Sequence, residues 1–403
     1  MKIDIHNCSK QAKLALVSLK KSSISKKNIE VIERFVDSCI ADGMSAGRVA
    51  KYIHTIKRWA IWLDKDFDMV TKEDIAQVIT KLQLNEKYTA WTKKDFKVLF
   101  KRFFKWFKQT EDYPLEVKWI NTRMKMCDRR LPGQGELLTE NDIKNLLEVI
   151  NSPRDKALVA MLWESGCRVG ELCSLQLSNV EIDKYGILIT VSGKTGSRKL
   201  RLISSTAYLM DWLKMHPTRN DKSSPLWVNI GSVNTNMPIK YRNVSLRIKE
   251  YFRQAKINKR CYPHLFRHSR ATYLANHLTE FQMNQYFGWV QGSNMPSTYV
   301  HLSGKEIDNA ILALNGIKDN EKKEEKALLR PKSCPRCDSI NSYDSKYCSK
   351  CAGILDIREA MELQARHEED SKKLDDAEAF FKKLRDQPQI LRGLMQMMGE
   401  VKL

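Results

Sequence analysis

The segment Pro263-His264-Leu265-Phe266-Arg267-His268 places a histidine and an arginine three residues apart, directly after a proline. Proline is favoured in the first turn of an α-helix, so this segment predicts a helix that begins here. Residues three apart on a helix lie on the same side, and His264 and Arg267 are therefore expected to face one site. Both side chains can donate hydrogen bonds to an anionic ligand.

Three further polar side chains occur where predicted helices or strands end. Arg168 follows the helix break at Gly166 and lies near the start of the next predicted helix. Lys194 lies at the tip of a predicted β-hairpin, and Tyr299 lies in the segment Pro-Ser-Thr-Tyr-Val-His. The predicted strands of the hairpin are Ile187–Val191 and Lys199–Ile203.

These side chains form a set of donors for the non-bridging oxygens of a phosphodiester. Arginine can contact such oxygens through two parallel hydrogen bonds. Phosphoryl transfer needs stabilised negative charge on these oxygens and a nucleophile in line with the leaving group, and arginine donors supply the first without a metal ion. No close group of aspartates and glutamates accompanies these residues in the sequence, which disfavours a catalytic metal site.

Taken together, the motifs resemble those of the tyrosine recombinases, or phage-type integrases, whose distant mechanistic relatives are the type IB topoisomerases. The resemblance is of the Xer-like kind, with an added C-terminal zinc ribbon, and it spans about residues 25–316. The motifs follow the family's order. They are Gly166-Cys-Arg-Val-Gly-Glu-Leu172, the hairpin lysine Lys194, His264-Leu-Phe-Arg267, Phe287-Gly-Trp-Val-Gln-Gly292 and the nucleophile box Ser297-Thr-Tyr-Val-His301.

One motif departs from the family's usual sequence. Trp289 stands where most members carry the histidine of Leu-Gly-His, so a direct acid or base role is not expected there. An indole N–H can still donate a hydrogen bond to phosphate, and some members carry tryptophan at this place. The interval from Trp289 to Tyr299 is also slightly longer than is common.

The resemblance implies a mechanism in which Tyr299 attacks a DNA phosphorus, forms a 3′-phosphotyrosyl link and releases a 5′-hydroxyl, without metal or ATP. A phenol with a pKa of about 10 is a weak nucleophile at neutral pH and needs a base and cationic surroundings. His264 is the candidate base or oxyanion donor, and Lys194 is the candidate general acid for the 5′-oxygen. Arg168 and Arg267 would neutralise the transition state. The nearby Glu171 is expected to orient or buttress the site.

The charge of the chain agrees with a nucleic-acid partner. Lysine and arginine total 69 against 48 aspartates and glutamates, a net charge of +21. Residues 1–130 carry +12, residues 131–316 carry +8 and residues 317–403 carry only +1. Such an excess favours a polyanion, although a lysine-rich solvated surface would give the same count.

The resemblance also implies an assembly. We expect two basic domains that clamp double-stranded DNA at specific target sites, in a homotetramer on DNA that exchanges a C-terminal element. Two apolar segments are candidates for that element. They are Lys305–Leu314 and Ile390–Val401.

Apolar residues recur every three to four positions along most of the chain, which predicts a mainly α fold. We expect a helical N-terminal DNA-binding domain, a catalytic domain that is mostly α with a small antiparallel sheet, a zinc ribbon and a helical tail. The aromatic stripe on the helix before residue 108 is expected to be packing core. The expected segments are 1–24 (N-terminal extension), 25–115 (helical core-DNA-binding domain), 116–135 (linker), 136–316 (catalytic domain), 317–331 (charged hinge), 332–356 (zinc ribbon) and 357–403 (C-terminal tail).

Local sequence signals place several helix starts within these segments. Ser45 is a candidate N-cap, and Thr71 and Asp74 resemble a capping box. Thr139 is a candidate cap for the first helix of the catalytic domain.

Four of the ten cysteines form two matched pairs, Cys334-x-x-Cys337 and Cys348-x-x-Cys351, ten residues apart. This spacing is typical of two knuckles that bind one tetrahedral zinc ion. A redox or disulfide pairing is the alternative, but so small a module has little apolar core to hold it without metal. We expect a structural zinc with four cysteine ligands and no catalytic cofactor. The other six cysteines are scattered, as expected of reduced thiols.

No stretch of the sequence predicts a membrane segment. The longest apolar runs, such as Ala157–Trp163, are far shorter than the roughly 20 residues that cross a bilayer. The first residues have mixed charge and lack the apolar run of a secretory signal. We therefore expect a cytoplasmic, nucleoid-associated protein without a membrane partner.

The leading hypothesis is a site-specific DNA recombinase that acts as an integrase or excisionase or in chromosome resolution. Two alternatives remain open. One is a type IB-like topoisomerase that uses the same chemistry without bringing sites together, and the other is a catalytically inactive, zinc-containing DNA-binding regulator.

Overall fold

A computed structural model describes residues 4–125, 132–193, 195–232, 234–303, 311, 314–315 and 328–386. Lys194, most of the charged hinge and of the segment Lys305–Leu314, and the segment Ile390–Val401 lie outside the described residues. The chain forms two compact units. The first is Met1–Leu137 with Pro225–Arg247, and the second is Leu138–Ser224 with Ile248–Leu403.

The first unit is built from helices around an aromatic core. The rings of Trp59 and Phe100 lie 4.1 Å apart, and Phe35 packs edge-on against Phe103 at 5.3 Å. The predicted stripe is confirmed as core, because Phe100, Phe103 and Phe104 are buried and Phe96 and Phe107 pack against them. The helices are α1 (Cys8–Lys20), α2 (Lys26–Ala41), α3 (Ala46–Leu63), α4 (Lys72–Leu84), α5 (Ala90–Phe107) and α6 (Leu115–Lys118).

The capping signals of this unit are partly realised. Thr71 accepts a hydrogen bond from the backbone N–H of Asp74, and the Asp74 carboxylate accepts one from Thr71, so the predicted capping box is confirmed. Ser45 does occupy the N-cap of α3, but its side chain makes no capping hydrogen bond. Helix α1 lies in the segment that we expected to be an N-terminal extension, and it buries Ala15 and Leu19.

The second unit combines helices with one small antiparallel sheet, as predicted. The strands of this sheet lie side by side in sequence order, and the second and third form the predicted hairpin. The strands are β1 (Val180–Asp183), β2 (Gly186–Gly193) and β3 (Gly196–Leu202). The helices are α7 (Glu140–Val149), α8 (Pro153–Ser165), α9 (Val169–Cys173), α10 (Thr206–Met215), α11 (Tyr241–Gln254, which begins in the first unit), α12 (Pro263–Leu274), α13 (Glu280–Phe287) and α14 (Met295–Ser303).

Helix α8 is the central helix of this unit. Most of its residues are buried, and it ends at Gly166 in the left-handed conformation with φ of 55°. Its Glu164 carboxylate accepts hydrogen bonds from the backbone N–H groups of Ile203, Ser204 and Ser205 at 2.7–3.0 Å. These bonds attach the end of β3 to α8 and so fix the position of the hairpin.

A two-knuckle module follows, with the short antiparallel strands β4 (Lys332–Ser333) and β5 (Ile340–Asn341). The Tyr208 hydroxyl on α10 donates a hydrogen bond to Asp344 of the module at 3.0 Å. Beyond the module, α15 (Ile357–Asp386) is a 30-residue helix. Its N-terminal turn is attached to the module by Glu359, which pairs with Lys346 and accepts a hydrogen bond from Tyr347. Among the described helices, none is both long and apolar enough to cross a membrane.

Candidate active site

Glu171 is a buried carboxylate held between two guanidinium groups. Its oxygens lie 2.7 Å from Arg168 and 2.8 Å from Arg198, and its side chain is 5% exposed. Burial acts to raise the pKa of Glu171, but the hydrogen bonds and charges of Arg198 and Arg168 outweigh burial and hold it below its usual value. The carboxylate therefore stays ionised and orients Arg168, which retains 36% of its side-chain surface exposed for a ligand.

Arg198 joins the hairpin to the C-terminal end of α13. Its Nε donates a hydrogen bond to the carbonyl of Tyr286 at 2.7 Å, while its Nη2 pairs with Glu171. Three residues before Arg198, in the turn of the same hairpin, Thr195 donates a hydrogen bond to the carbonyl of Gly288 at 3.0 Å. Both attachments lie on the β3 side of the turn, and Lys194 itself lies outside the described residues.

Arg267 is almost fully buried on α12 and is fixed from several directions. It donates hydrogen bonds to the carbonyls of Gly166 at 3.1 Å and Phe287 at 2.8 Å. Its guanidinium also lies over the rings of Phe287 and Trp289, at 5.1 and 5.3 Å from their centroids. Burial, and then the charge of Arg168, lower the pKa of Arg267 to about 10, so it is still a cation at neutral pH.

Tyr299 lies on α14 with its ring stacked on Trp289, 5.4 Å between centroids and 7° between planes. Its hydroxyl lies 2.9 Å from Nδ1 of His268, and the residue is only 1% exposed. Burial raises the pKa of Tyr299, whereas the positive charges of Arg267 and Arg168 lower it. Tyr299, both predicted arginines and Trp289 therefore share one neighbourhood.

His264 occupies the edge of this group. Its side chain is exposed, and its ring packs edge-on against His268 with centroids 4.9 Å apart. Burial by surrounding atoms, and then the charges of His268 and Arg267, lower the pKa of His264. The ring is therefore neutral at pH 7, with a nitrogen that can donate to phosphate.

Two residues of this arrangement were not predicted. Arg198 lies on β3 and Glu171 on α9, and the two residues, distant in the sequence, meet only in the folded structure. His268 directly follows Arg267 and lies four residues after His264, so helical spacing alone could have placed it beside His264.

The four cysteines of the two-knuckle module converge on one point. Their sulfur atoms all lie within 4.8 Å of one another, with Cys334 to Cys351 at 3.5 Å and Cys337 to Cys348 at 3.6 Å. Four thiolates at the usual zinc–sulfur distance of about 2.3 Å lie about 3.8 Å apart in a tetrahedron, so the cluster fits such an ion.

The first unit has a basic groove of ≈ 460 Å³ beside α5. Among its lining residues none is acidic, and its cations are Lys93, Lys94, Lys97, Arg123 and Lys125. Burial, and then the charge of Lys93, lower the pKa of Lys97, as expected where cations are crowded without counter-ions. This groove suits an anionic backbone.

Comparison with known proteins gives one consistent family. Residues 136–306 match the model of the phage integrase family. The chain is 25% identical over 296 residues to tyrosine recombinase XerD of Ralstonia nicotianae, covering 69% of this chain and 91% of the relative. It is 24% identical over 288 residues to tyrosine recombinase XerA of Pyrococcus horikoshii, covering 70% and 93%.

Solved structures agree at the level of the fold. The XerH site-specific recombinase bound to palindromic difH substrate matches with a TM-score of 0.55 and 15% identity, over 78% of this chain and 100% of that one. A lambda integrase dimer bound to a COC′ core site matches with a TM-score of 0.55 and 14% identity, over 69% and 78%. The family match and the Xer relatives lead to one conclusion: residues 136–306 form a domain of the phage integrase family, in a chain that is similar to Xer tyrosine recombinases over about 70% of its length.

Proposed function

We propose that this protein is a site-specific recombinase that cleaves and rejoins DNA with Tyr299 as the nucleophile. The observation that carries the proposal is the surroundings of the Tyr299 hydroxyl, whose pKa is lowered by the positive charges of Arg267 and Arg168 against the effect of burial. These three residues come from motifs far apart in the sequence. Their convergence suits attack on a phosphodiester, and it has no evident purpose in a protein that only binds DNA.

The proposed reaction begins when the Tyr299 oxygen attacks phosphorus in line with the 5′-oxygen of the next nucleotide. A bond forms between tyrosine and the 3′-phosphate, and the 5′-oxygen leaves as a hydroxyl. Arg168 and Arg267 stabilise the charge on the equatorial oxygens, and His264 donates a third hydrogen bond. Rejoining is the reverse reaction with a different 5′-hydroxyl.

Two predicted residues have supporting roles in this proposal. Lys194 protonates the leaving 5′-oxygen, an assignment that rests on the sequence resemblance and on the attachment of its flanking hairpin residues Thr195 and Arg198. Trp289 forms the wall on which the Tyr299 ring stacks, so it orients the nucleophile and can donate its indole N–H to phosphate.

The proposed partner is double-stranded DNA with specific target sites, bound by a homotetramer. The related solved structures are described as XerH on difH substrate and lambda integrase as a dimer on a core site and a tetramer on a Holliday junction. The basic groove beside α5 supplies phosphate contacts. With DNA as the substrate, we also propose a cytoplasmic, nucleoid-associated location.

We further propose that Cys334, Cys337, Cys348 and Cys351 bind one structural zinc ion. All four positions of a tetrahedral ion would be filled by thiolates, which leaves no place for a substrate. Asn341 and the backbone N–H of Lys350 donate to the Cys348 sulfur at 3.6 and 3.5 Å, as expected around a thiolate ligand.

The experiment that tests the function uses a nicked suicide substrate that carries the protein's own site, in EDTA. We expect a covalent protein–DNA complex that is absent in Tyr299→Phe and retained in the control Tyr273→Phe, because Tyr273 is a partly exposed residue of α12. Strand exchange between two defined sites supports the recombinase. Relaxation of random plasmid without exchange would instead indicate a topoisomerase, and no complex on a verified site would indicate an inactive regulator.

A further inference from the structure

We infer that His268, rather than His264, is the group that accepts the proton of the Tyr299 hydroxyl during cleavage. The inference rests on the proposed function, since it assigns a catalytic residue to that reaction. It comes from the geometry, because Nδ1 of His268 lies 2.9 Å from the Tyr299 hydroxyl oxygen. That is the distance of a direct hydrogen bond, and a general base must be within such reach of the proton it takes.

The surroundings hold this pair in place. Tyr299 stacks on Trp289 on one side, and the His268 and Tyr299 rings lie 5.9 Å apart at an angle of 36°. The rings of His264 and Tyr262 also lie edge-on to His268, with centroids 4.9 and 6.4 Å away. The hydroxyl and the imidazole are therefore enclosed by rings that restrict their motion.

The protonation state of His268 suits a base. Its titratable and charged neighbours are His264 and Arg267 on α12, Tyr262 before that helix, Tyr299 on α14 and, around the hydroxyl, Arg168. Burial, and then the charge of Arg267, lower the pKa of His268. The imidazole is consequently neutral at pH 7. In the tautomer with its proton on Nε2, Nδ1 is an acceptor for the Tyr299 O–H.

The inferred step balances. As the Tyr299 oxygen forms its bond to phosphorus, its proton moves to Nδ1 of His268 and gives an imidazolium. The bond from phosphorus to the 5′-oxygen breaks, and that oxygen takes a proton from the general acid. In the rejoining step the imidazolium returns its proton to the departing Tyr299 oxygen, so the base is restored with no other reactant.

His264 has a different place in this arrangement. Its exposed ring lies at the outer edge of the group, and among the described contacts it reaches Tyr299 only through His268. An exposed donor beside Arg168 is positioned for phosphate oxygens. The two histidines, one helical turn apart on α12, would thus have different roles: His264 binds phosphate and His268 accepts the proton.

The test measures single-turnover cleavage of the suicide substrate by His268→Asn and His268→Ala. Asparagine keeps a polar atom near the place of Nδ1 but has no basic nitrogen, so it separates proton acceptance from positioning. We expect both variants to bind DNA normally and to cleave about 100- to 10,000-fold more slowly. Their rates should rise with pH through the range in which the wild-type rate is level, and imidazole should partly restore His268→Ala.

The matched control is His277→Asn, because His277 is an exposed histidine just beyond the end of the same helix. Melting temperatures of all variants show whether the fold is intact. Cleavage by His268→Asn at the wild-type rate and with the wild-type pH profile would overturn the inference. Faster cleavage would also overturn it, because it would show that the hydrogen bond between His268 and Tyr299 restrains Tyr299 instead of activating it. If the wild-type protein itself forms no adduct on its verified site, it is the proposed function that fails.

Discussion

At the scale of single residues, the site depends on charges that are buried and paired. Glu171 is the clearest case, because it holds Arg168 and Arg198 at 2.7 and 2.8 Å in a place where water is largely excluded. Removing one partner of a buried ion pair leaves the others without compensation, which costs more than the loss of a surface pair. The Glu171 carboxylate therefore contributes to the stability of the site and also holds its two arginines in place.

Glu171→Gln is expected to lower the free energy of unfolding at pH 7 by about 3 kcal/mol. The folded-state pKa of Glu171 lies below its usual value of 4.5, so its stabilisation is complete above pH 4.5 and is lost as the pH falls through the folded-state value. Denaturant unfolding at pH 7 and pH 3.5 should show a smaller pH effect in the variant. Asp183→Asn is the control, because this carboxylate is more exposed and its loss should cost less than about 1 kcal/mol.

At the scale of elements, the position of the β2–β3 hairpin depends on two glycines whose backbone lies against the side chains of Glu171 and Arg198. A Cβ atom at Gly193 would lie 2.5 Å from Oε1 of Glu171, and one at Gly288 would lie 2.7 Å from Nη1 of Arg198. Glycine is needed at both positions because the ion pairs occupy the space of a side chain. Gly288 also has a φ of 60°, which other residues rarely adopt.

Gly193→Ala is expected to displace Glu171, destabilise the protein by roughly 1–3 kcal/mol and slow cleavage, since the hairpin and Arg168 lose their common partner. Gly231→Ala is the matched control, because a Cβ there meets no atom within 4 Å and the backbone is not left-handed. Thermal unfolding of both variants measures the loss of stability, and cleavage of the suicide substrate measures the change in rate. Equal behaviour of the two would contradict the packing described for Gly193.

Zinc analysis of the purified protein should find about one ion per chain, and Cys351→Ser should reduce this strongly because a structural site needs all its ligands. Chelation should lower the melting temperature, since the module is attached to α10 by the bond from Tyr208 to Asp344. Cys8→Ser, which changes a cysteine outside the cluster, should keep the metal. A metal-free protein of unchanged melting temperature would refute a structural zinc.

The sequence predicted the features that depend on residues close together in the chain. The capping box at Thr71, the helix cap at Thr139, the hairpin and the aromatic core of the first unit are confirmed. Strand β1 was missed because three of its four residues are exposed and show no apolar alternation. The ion pair between Arg198 and Glu171 was not predicted because it joins β3 to α9 through the tertiary fold, and no local spacing encodes it.

At the scale of the whole molecule, the excess of positive charge is the feature that concerns DNA most directly. The net charge of +21 lies almost entirely before residue 317, and the basic groove beside α5 gathers five cations. Proteins that neutralise phosphates release counter-ions from DNA, so their affinity falls with salt in proportion to the number of contacts.

DNA affinity is expected to fall steeply with salt, and Lys94→Ala and Arg123→Ala should each weaken binding and reduce the slope of log affinity against log salt by about 1. Lys27→Ala is the control, because the charge of Lys27 is already paired with Asp68. Fluorescence anisotropy at several salt concentrations measures these slopes. A response that is flat with salt, or unchanged in the two groove variants, would contradict phosphate binding there.

The central claim is that the oxygen of Tyr299 becomes joined to DNA. The most direct measurement is mass spectrometry of the peptide that remains linked to DNA after cleavage of a suicide substrate and digestion with protease and nuclease. We expect a 3′-nucleotide attached through phosphate to the peptide that contains Tyr299. A nucleotide found on Tyr286, on Tyr273 or on any residue other than Tyr299 would contradict the account.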